Sequence, residues 1–318
     1  MIIIGSKIYQ CLRLMERSTR KFQQHFNLVI LSFQMDIKIT YMSGAGNLFS
    51  VIDNRNYNLS KYLLEKLAPK FCSARIPTEG LLAINKSDSL DFDADFYNPD
   101  GSSGVMCGNG GRCSVLFAGK YNFFDNLDKN FIEFSMAGEI YKAKLENDIV
   151  SLYMPPPIEI STNIRIDEDF FSGITDYINV NSDHIVFNYS KINKEENFFD
   201  FDLVGFAKPL RYLEKLFPRG VNVNVYYIDN QNNIHLRTYE RGVEGETGAC
   251  GTGATSTAIS IAISGIDKFP IEIIPKSKKN LRIDCVGHFP SGIENMILQG
   301  TAEIIGIDLL SVNIEELK

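Results

Sequence analysis

Two stretches of the 318-residue chain combine cysteine with closely spaced glycines. The first runs from Asn98-Pro99-Asp100-Gly101 to Cys107-Gly108-Asn109-Gly110-Gly111-Arg112-Cys113. The second runs from Glu240-Arg241-Gly242 to Cys250-Gly251-Thr252-Gly253. Each contains Cys-Gly-x-Gly, and each leads into small and apolar residues, at 114–118 and at 254–263. The second of these segments is apolar or small nearly all round, as a helix buried on every side would be. The repetition predicts an internal duplication, with a cysteine at the N-terminus of a central helix in each copy. The first turn of a helix presents unpaired N–H groups and a positive dipole end, a ready site for a carboxylate. Glycines there let a ligand come close to the backbone. The same field is expected to depress a thiol pKa. Two such ends facing each other would hold one carboxylate, with a sulfur on either side of its α-carbon. One thiolate can then take the α-proton while the opposite thiol delivers a proton to the other face. The charge that develops on the carboxylate meets preorganised donors, so the scheme calls for no pyridoxal or other cofactor.

Other chemistries fit these residues less well. A dinucleotide loop wants a third glycine, but Cys113 follows Gly108-x-Gly110 at that place and Ser256 follows Gly251-x-Gly253. There is no Gly-Lys-Ser/Thr ending for a P-loop. A zinc site is not expected, because no Cys-x-x-Cys occurs and His25, His184, His235 and His288 are far apart in sequence. A hydrolase with a single cysteine and a histidine base would leave the near-copy unexplained. The remaining reading is that both cysteines are small buried hydrophobes beside tight turns, and the pairing speaks against it.

The elements that must position these loops read as mixed α/β. Residues 37–41, 149–154, 221–228 and 234–239 alternate like half-buried strands. Residues 58–67 and 210–217 have helical spacing, the latter with Pro209 at its first turn. Pro155-Pro156-Pro157 is the best candidate for a domain joint, and residues 190–202 read as a surface loop. The length suggests two domains, and 44% hydrophobic with 22% charged residues suits a globular chain with real cores. A net charge of −7 argues against nucleic acid as a partner, and no stretch is long and apolar enough to span a bilayer. Six scattered cysteines do not make a disulfide scaffold, so a reduced, cytoplasmic protein is the default. Residues 1–34 carry Lys7, Arg13, Arg17, Arg20 and Lys21 against Glu16 alone. They read as a basic extension from an upstream start, with the protein proper opening at Met35; an organellar transit peptide is the alternative.

From Met35 almost to the C-terminus the chain resembles the diaminopimelate epimerases, which are cofactor-independent two-cysteine enzymes. The resemblance rests on Met42-Ser43-Gly44-Ala45-Gly46-Asn47-Leu48-Phe49, on both cysteine loops, and on Phe217-Pro218-Arg219-Gly220-Val221-Asn222-Val223. It implies Cys107 and Cys250 as the catalytic pair, with Asn47, Gly108, Asn109, Gly251 and Thr252 at the reacting centre. It implies Asn98, Asn222, Glu240 (through its carbonyl) and Arg241 at the distal amino-acid centre, and His184 as a histidine beside a thiol. The fold implied is α/β in two pseudo-twofold halves, residues 35–153 with 303–318 and residues 154–302. Each half would be a mixed sheet curled round a central helix, with the site in the cleft and a last strand near 302–307 returning to the first half. The partner expected is a small amino acid, and a homodimer is compatible with the fold. The alternatives are another racemase of the superfamily or a non-catalytic binding homologue. Four departures stand out: Leu48 for an aspartate, Arg75-Ile76-Pro77-Thr78-Glu79-Gly80 for a glycine-rich stretch ending in an acid, Ser182 for an asparagine and Asp183 for a proline. The two sulfurs are also expected to cross-link on oxidation.

Overall fold

The computed structural model describes residues 34–104, 106–124, 130–192 and 196–313. The basic extension therefore lies outside the described residues except for Gln34, which opens the first strand.

The chain first forms β1 (Gln34–Gly44), β2 (Asn47–Asp53), α1 (Lys61–Cys72), β3 (Leu81–Asn85), β4 (Phe92–Tyr97) and α2 (Gly108–Lys120). It continues through β5 (Ile132–Met136), β6 (Glu139–Glu146) and β7 (Ile149–Met154). After Pro155-Pro156-Pro157 come β8 (Glu159–Glu168), β9 (Phe171–Asn179), β10 (Asp183–Asn188), α3 (Tyr189–Ile192), α4 (Leu203–Arg211), β11 (Asn222–Ile228) and β12 (Ile234–Glu240). The remainder is β13 (Gly245–Glu246), α5 (Gly251–Ile263), β14 (Ile271–Pro275), β15 (Leu281–His288) and β16 (Gly292–Asn313).

Among the described residues these strands make one sheet. It runs β1 to β7 in order, then β16, β15, β14, β12, β11, β10, β9 and β8, with β13 on β12. The long β16 does two jobs. Near residues 296–301 it lies between β7 and β15, and over residues 302–313 it pairs with β1. Strands β1–β7 and β16 thereby close a ring round α2, while the strands from β16 to β8 remain open and pack against α5. The pairs β2/β3, β4/β5, β10/β11 and β12/β14 are parallel, so each needs a crossover rather than a hairpin. Helices α1, α2, α4 and α5 occupy those crossovers, and the connection pattern of the first run recurs in the second.

The two central helices are wrapped on all sides, which is why their sequences carry no polar face. Residues 108–118 of α2 are all buried, and α5 is buried from Gly253 to Ile261. Three of their hydroxyls bond back into their own helix: Ser114 to the Gly110 carbonyl, Thr255 to Gly251 and Thr257 to Gly253.

The four expected strands are present. The helix expected over 58–67 forms three residues later, because Ser60 caps it through the Leu63 N–H. The helix expected over 210–217 is a correction. It runs Leu203–Arg211 instead, capped by Asp202 on the Gly205 N–H at 2.9 Å, with Pro209 in its last turn. The cap and the apolar face Leu203, Ala207, Leu210 outweigh the preference of proline for a first turn. The loop expected over 190–202 is also only partly a loop, since α3 reaches Ile192 and Phe198 is buried in an aromatic cluster; residues 193–195 lie outside the described residues.

Candidate active site

Cys107 and Cys250 are the N-caps of α2 and α5. Each cap residue is extended, and its sulfur accepts from the N–H three residues on: Gly110 at 3.4 Å and Gly253 at 3.3 Å. The two helix ends abut. A Cβ on Gly251 would sit 3.7 Å from the Gly108 Cα and 2.7 Å from the Leu298 Cδ2, and one on Gly108 would sit 2.8 Å from the same methyl. Only glycine lets the ends meet this closely while leaving their first-turn N–H groups open to a ligand.

Around Cys107 a chain of amides is held in place. The Asn109 Nδ2 donates to the Asn47 Oδ1 at 3.0 Å and to the Ala249 carbonyl at 2.9 Å, tying the first cysteine loop to the second. The Asn47 Nδ2 donates to Glu79, whose own N–H bonds the Leu48 carbonyl at 2.8 Å. The departing stretch 75–80 thus still delivers an acid to the site, and burial pushes the Glu79 carboxyl above its ordinary pKa. From the other side the Arg112 Nη2 donates to the Asn109 Oδ1 at 2.8 Å. Arg112 is fully buried, its Nε has no partner, and burial lowers its pKa to about 10.

Around Cys250 the arrangement is different. The Thr252 Oγ1 lies 3.5 Å from the Cys250 sulfur and 3.0 Å from the His184 Nε2, while the Asn224 Nδ2 lies 3.1 Å from the His184 Nδ1. Burial drives the His184 pKa down to about 3, so the ring is neutral. The Asn224 amide also donates to the Ile185 carbonyl at 3.0 Å, and its Oδ1 accepts from Thr238. With Nδ1 accepting from Asn224, Nε2 carries the proton and donates to Thr252. The Thr252 hydroxyl is then free to donate to the sulfur. The Glu240 carboxyl bonds the Thr247 hydroxyl and the Cys250 side chain, and burial raises its pKa to about 7.

The expected depression of the thiol pKa values is a correction. Burial pushes Cys107 up to about 11, outweighing the Gly110 N–H and the Arg112 charge, and pushes Cys250 well above the ordinary thiol value; the Glu240 charge adds to the rise at both. Helix-end donors stabilise a thiolate only against the desolvation it suffers, and both helix ends lie deep in the protein. The five described cysteines are all free.

The distal group divides. The Asn222 Nδ2 donates to the Asp183 carbonyl and the Ser182 Oγ, and its Oδ1 accepts the Arg241 N–H at 2.8 Å. Arg241 donates to Asp183 at 3.1 Å. Asn98 stays within its own loop, its amide on the Ser102 Oγ at 2.8 Å. The Glu240 carbonyl accepts the Glu244 N–H at 2.8 Å, and its carboxyl lies against the Cys250 side chain. Sequence reasoning passed over three residues, Glu79, Arg112 and Asn224. A charge among the small residues that open a helix, and an asparagine at a buried strand position, are the signals that mark the last two.

The diaminopimelate epimerase family profile matches residues 39–158. A diaminopimelate epimerase of Aquifex aeolicus is 32% identical over 274 residues, covering 82% of this chain and 92% of its own. One from Flavobacterium psychrophilum is 35% identical over 232 residues, covering 72% and 83%. The chain belongs to the diaminopimelate epimerase family. Solved structures extend the likeness at the level of fold. A phenazine biosynthesis protein of the PhzF family from Bacillus anthracis superposes with a TM-score of 0.67 at 11% identity, covering 87% of this chain and all of that one. A hydroxyproline epimerase from Agrobacterium vitis, with trans-4-hydroxy-L-proline bound, gives a TM-score of 0.65 at 13% identity, covering 87% and 93%. Membership makes the chain an isomerase of the epimerase kind. Among the described residues no helix is long and apolar enough to cross a membrane.

Proposed function

We propose that this enzyme interconverts LL- and meso-diaminopimelate by proton transfer at one α-carbon between Cys107 and Cys250. The observation that carries the two-thiol reading is the pair of abutting helix ends, each capped by a cysteine. The substrate carboxylate binds the open first-turn N–H groups of α2 and α5, at Gly108, Asn109, Gly251 and Thr252. A thiolate on one side removes the α-proton, and the electron pair of the broken carbon–hydrogen bond stays on the substrate as an enediolate-like carbanion. The thiol opposite gives its proton to the other face. The centre is inverted, no proton is gained or lost overall, and thiol and thiolate have exchanged places. The N–H groups stabilise the charge on the carboxylate as it builds. Asn109 and Asn47 fix the floor of the site, and the hydroxyl of Thr252, oriented by His184, supports the Cys250 sulfur.

The reading extends to the organisation of the chain. Two halves, residues 35–153 with 303–318 and residues 154–302, each contribute one thiol, and the distal amino-acid centre lies toward Asn98, Asn222 and Arg241. The enzyme works in the cytoplasm on a small amino acid, and a homodimer is compatible with the fold.

The test is isotopic. Reduced enzyme incubated with LL-diaminopimelate in heavy water is expected to yield meso product with deuterium at the inverted α-carbon. Product formed with full retention of protium, or no exchange at all, refutes the two-thiol route.

A further inference from the structure

Asp183, at the start of β10 and immediately before His184, stands where the resemblance would put a proline. Its side chain is only 8% exposed and fully engaged. Oδ1 accepts from the Tyr177 hydroxyl at 2.6 Å, the Asn179 Nδ2 at 3.3 Å and the Arg219 Nη2 at 2.7 Å. Oδ2 accepts from the Arg219 Nε at 3.2 Å and the Arg241 Nη1 at 3.1 Å. Burial alone would raise its pKa, but the hydrogen bonds and the two guanidinium charges hold it below the ordinary carboxylate value. A carboxylate with this many donors is a fixed post, not a mobile surface charge.

Arg241 is fixed to that post along one edge. Its Nη1 also donates to the Arg219 and Gly220 carbonyls at 3.0 and 3.1 Å, and its backbone N–H is held by Asn222. Its Nε and Nη2 have no hydrogen-bond partner among the described residues, and its side chain is 31% exposed. One buried carboxylate faces two guanidiniums, so the cluster keeps an uncompensated positive charge. The side-on Nε/Nη2 edge of an arginine is the shape that takes a carboxylate in two parallel bonds. Arg241 directly follows Glu240, whose carboxyl touches Cys250, so the free edge is one residue along the chain from the reacting centre.

We propose that Asp183 is a positioning residue that sets specificity. It immobilises Arg241 so that its free edge receives the carboxylate at the non-reacting end of the substrate. This rests on the diaminopimelate reading, because it is the substrate's second amino-acid centre that supplies that carboxylate. Asp183 does no proton transfer itself. Its contribution falls on binding, and hence on KM more than on kcat.

The experiment pairs calorimetric binding of LL-diaminopimelate under reducing conditions with steady-state kinetics, on the wild-type protein, Asp183→Asn and Arg219→Gln. Asp183→Asn is expected to raise both Kd and KM about tenfold, which is about 1.4 kcal/mol, with a much smaller change in kcat. Arg219→Gln removes one side of the clamp at a side chain 69% exposed, where folding is little affected. It is expected to give the same split at about threefold. A tighter Kd in Asp183→Asn would mean that Asp183 competes with the substrate, and overturns the proposal. So does a fall in kcat with Kd unchanged. If Asp183→Asn does not fold, Arg219→Gln decides, and an unchanged Kd there is fatal. Wild-type protein that binds LL-diaminopimelate but exchanges no α-proton would sink the catalytic reading and leave the clamp to be judged on Kd; no binding by wild type sinks both.

Discussion

The caps of α2 and α5 share nearly one backbone, with φ −118° and ψ 107° at Cys107 and φ −112° and ψ 114° at Cys250. Each sulfur accepts one N–H from the third residue on, and each is followed by a glycine that lets the opposite helix approach. The side chains around the two sulfurs differ in charge. Cys107 has the buried Arg112 five residues behind it, a guanidinium that forms no ion pair among the described residues and whose charge lowers the thiol pKa. Cys250 has the buried carboxyl of Glu240 against it, whose charge raises the thiol pKa, and a hydroxyl donor in Thr252. A repeated backbone has therefore been given unequal electrostatics. The Glu240 charge raises both thiol pKa values, and at Cys107 the Arg112 charge opposes it, so the contrast between the two sulfurs is one of degree.

The harshest way to break the pair is to remove either sulfur. Cys107→Ala and Cys250→Ala are each expected to cut kcat by about 10²–10⁴-fold, the range for loss of a positioned acid or base. Chiral analysis of product reads this directly, and a variant that still inverts at a tenth of the wild-type rate would remove its cysteine from the relay. The asymmetry itself is sharpened by changing the charges. Glu240→Gln takes away the carboxylate that opposes ionisation of both thiols, first of all Cys250, so iodoacetamide should label Cys250 several-fold faster at pH 8 and Cys107 somewhat faster. Arg112→Met should act the other way at Cys107 and slow its labelling by up to about tenfold, one pKa unit. Site-resolved mass spectrometry measures both. Equal shifts at the two cysteines in both variants would abolish the distinction.

Much of this was legible in the sequence, and what was not has a physical pattern. The caps could be read because Cys-Gly-x-Gly before a run of small residues is a local signal. The strands at 149–154 and 234–240 could be read because period-two burial is local too. The helix at Leu203–Arg211 is hidden from local reading because Pro209 suits a first turn, and only the Asp202 cap and the packing of Leu203, Ala207 and Leu210 decide otherwise. The thiol pKa values are hidden for a related reason. The helix end is visible in sequence, but the depth at which β16 and Leu298 bury it is not. Glu79, Arg112 and Asn224 depend on contacts over tens of residues or on orientation inside a wrapped helix, so no spacing rule pointed to them.

The smallest effect expected is on stability, and there too the two sides of the site oppose each other. Burial holds His184 neutral with its pKa lowered to about 3, whereas the unfolded chain takes up a proton near 6.5. Its contribution is complete above pH 6.5 and is lost as the pH falls toward 3. Glu240 runs the other way. Burial raises its pKa from 4.5 to about 7, so its contribution is complete below pH 4.5 and is lost as the pH rises through 7. Between pH 4.5 and 6.5 the two slopes partly cancel in the wild-type protein. Thermal melts of His184→Asn should therefore fall more steeply with rising pH than those of the wild type over that interval. Melts of Glu240→Gln should rise more steeply. Each departure should amount to a few degrees, at about 2–4 °C per kcal/mol for a chain not much larger than 250 residues. Parallel curves for the three proteins would show that neither group titrates differently on folding. The electrostatic contrast between the caps would then rest on the labelling rates alone.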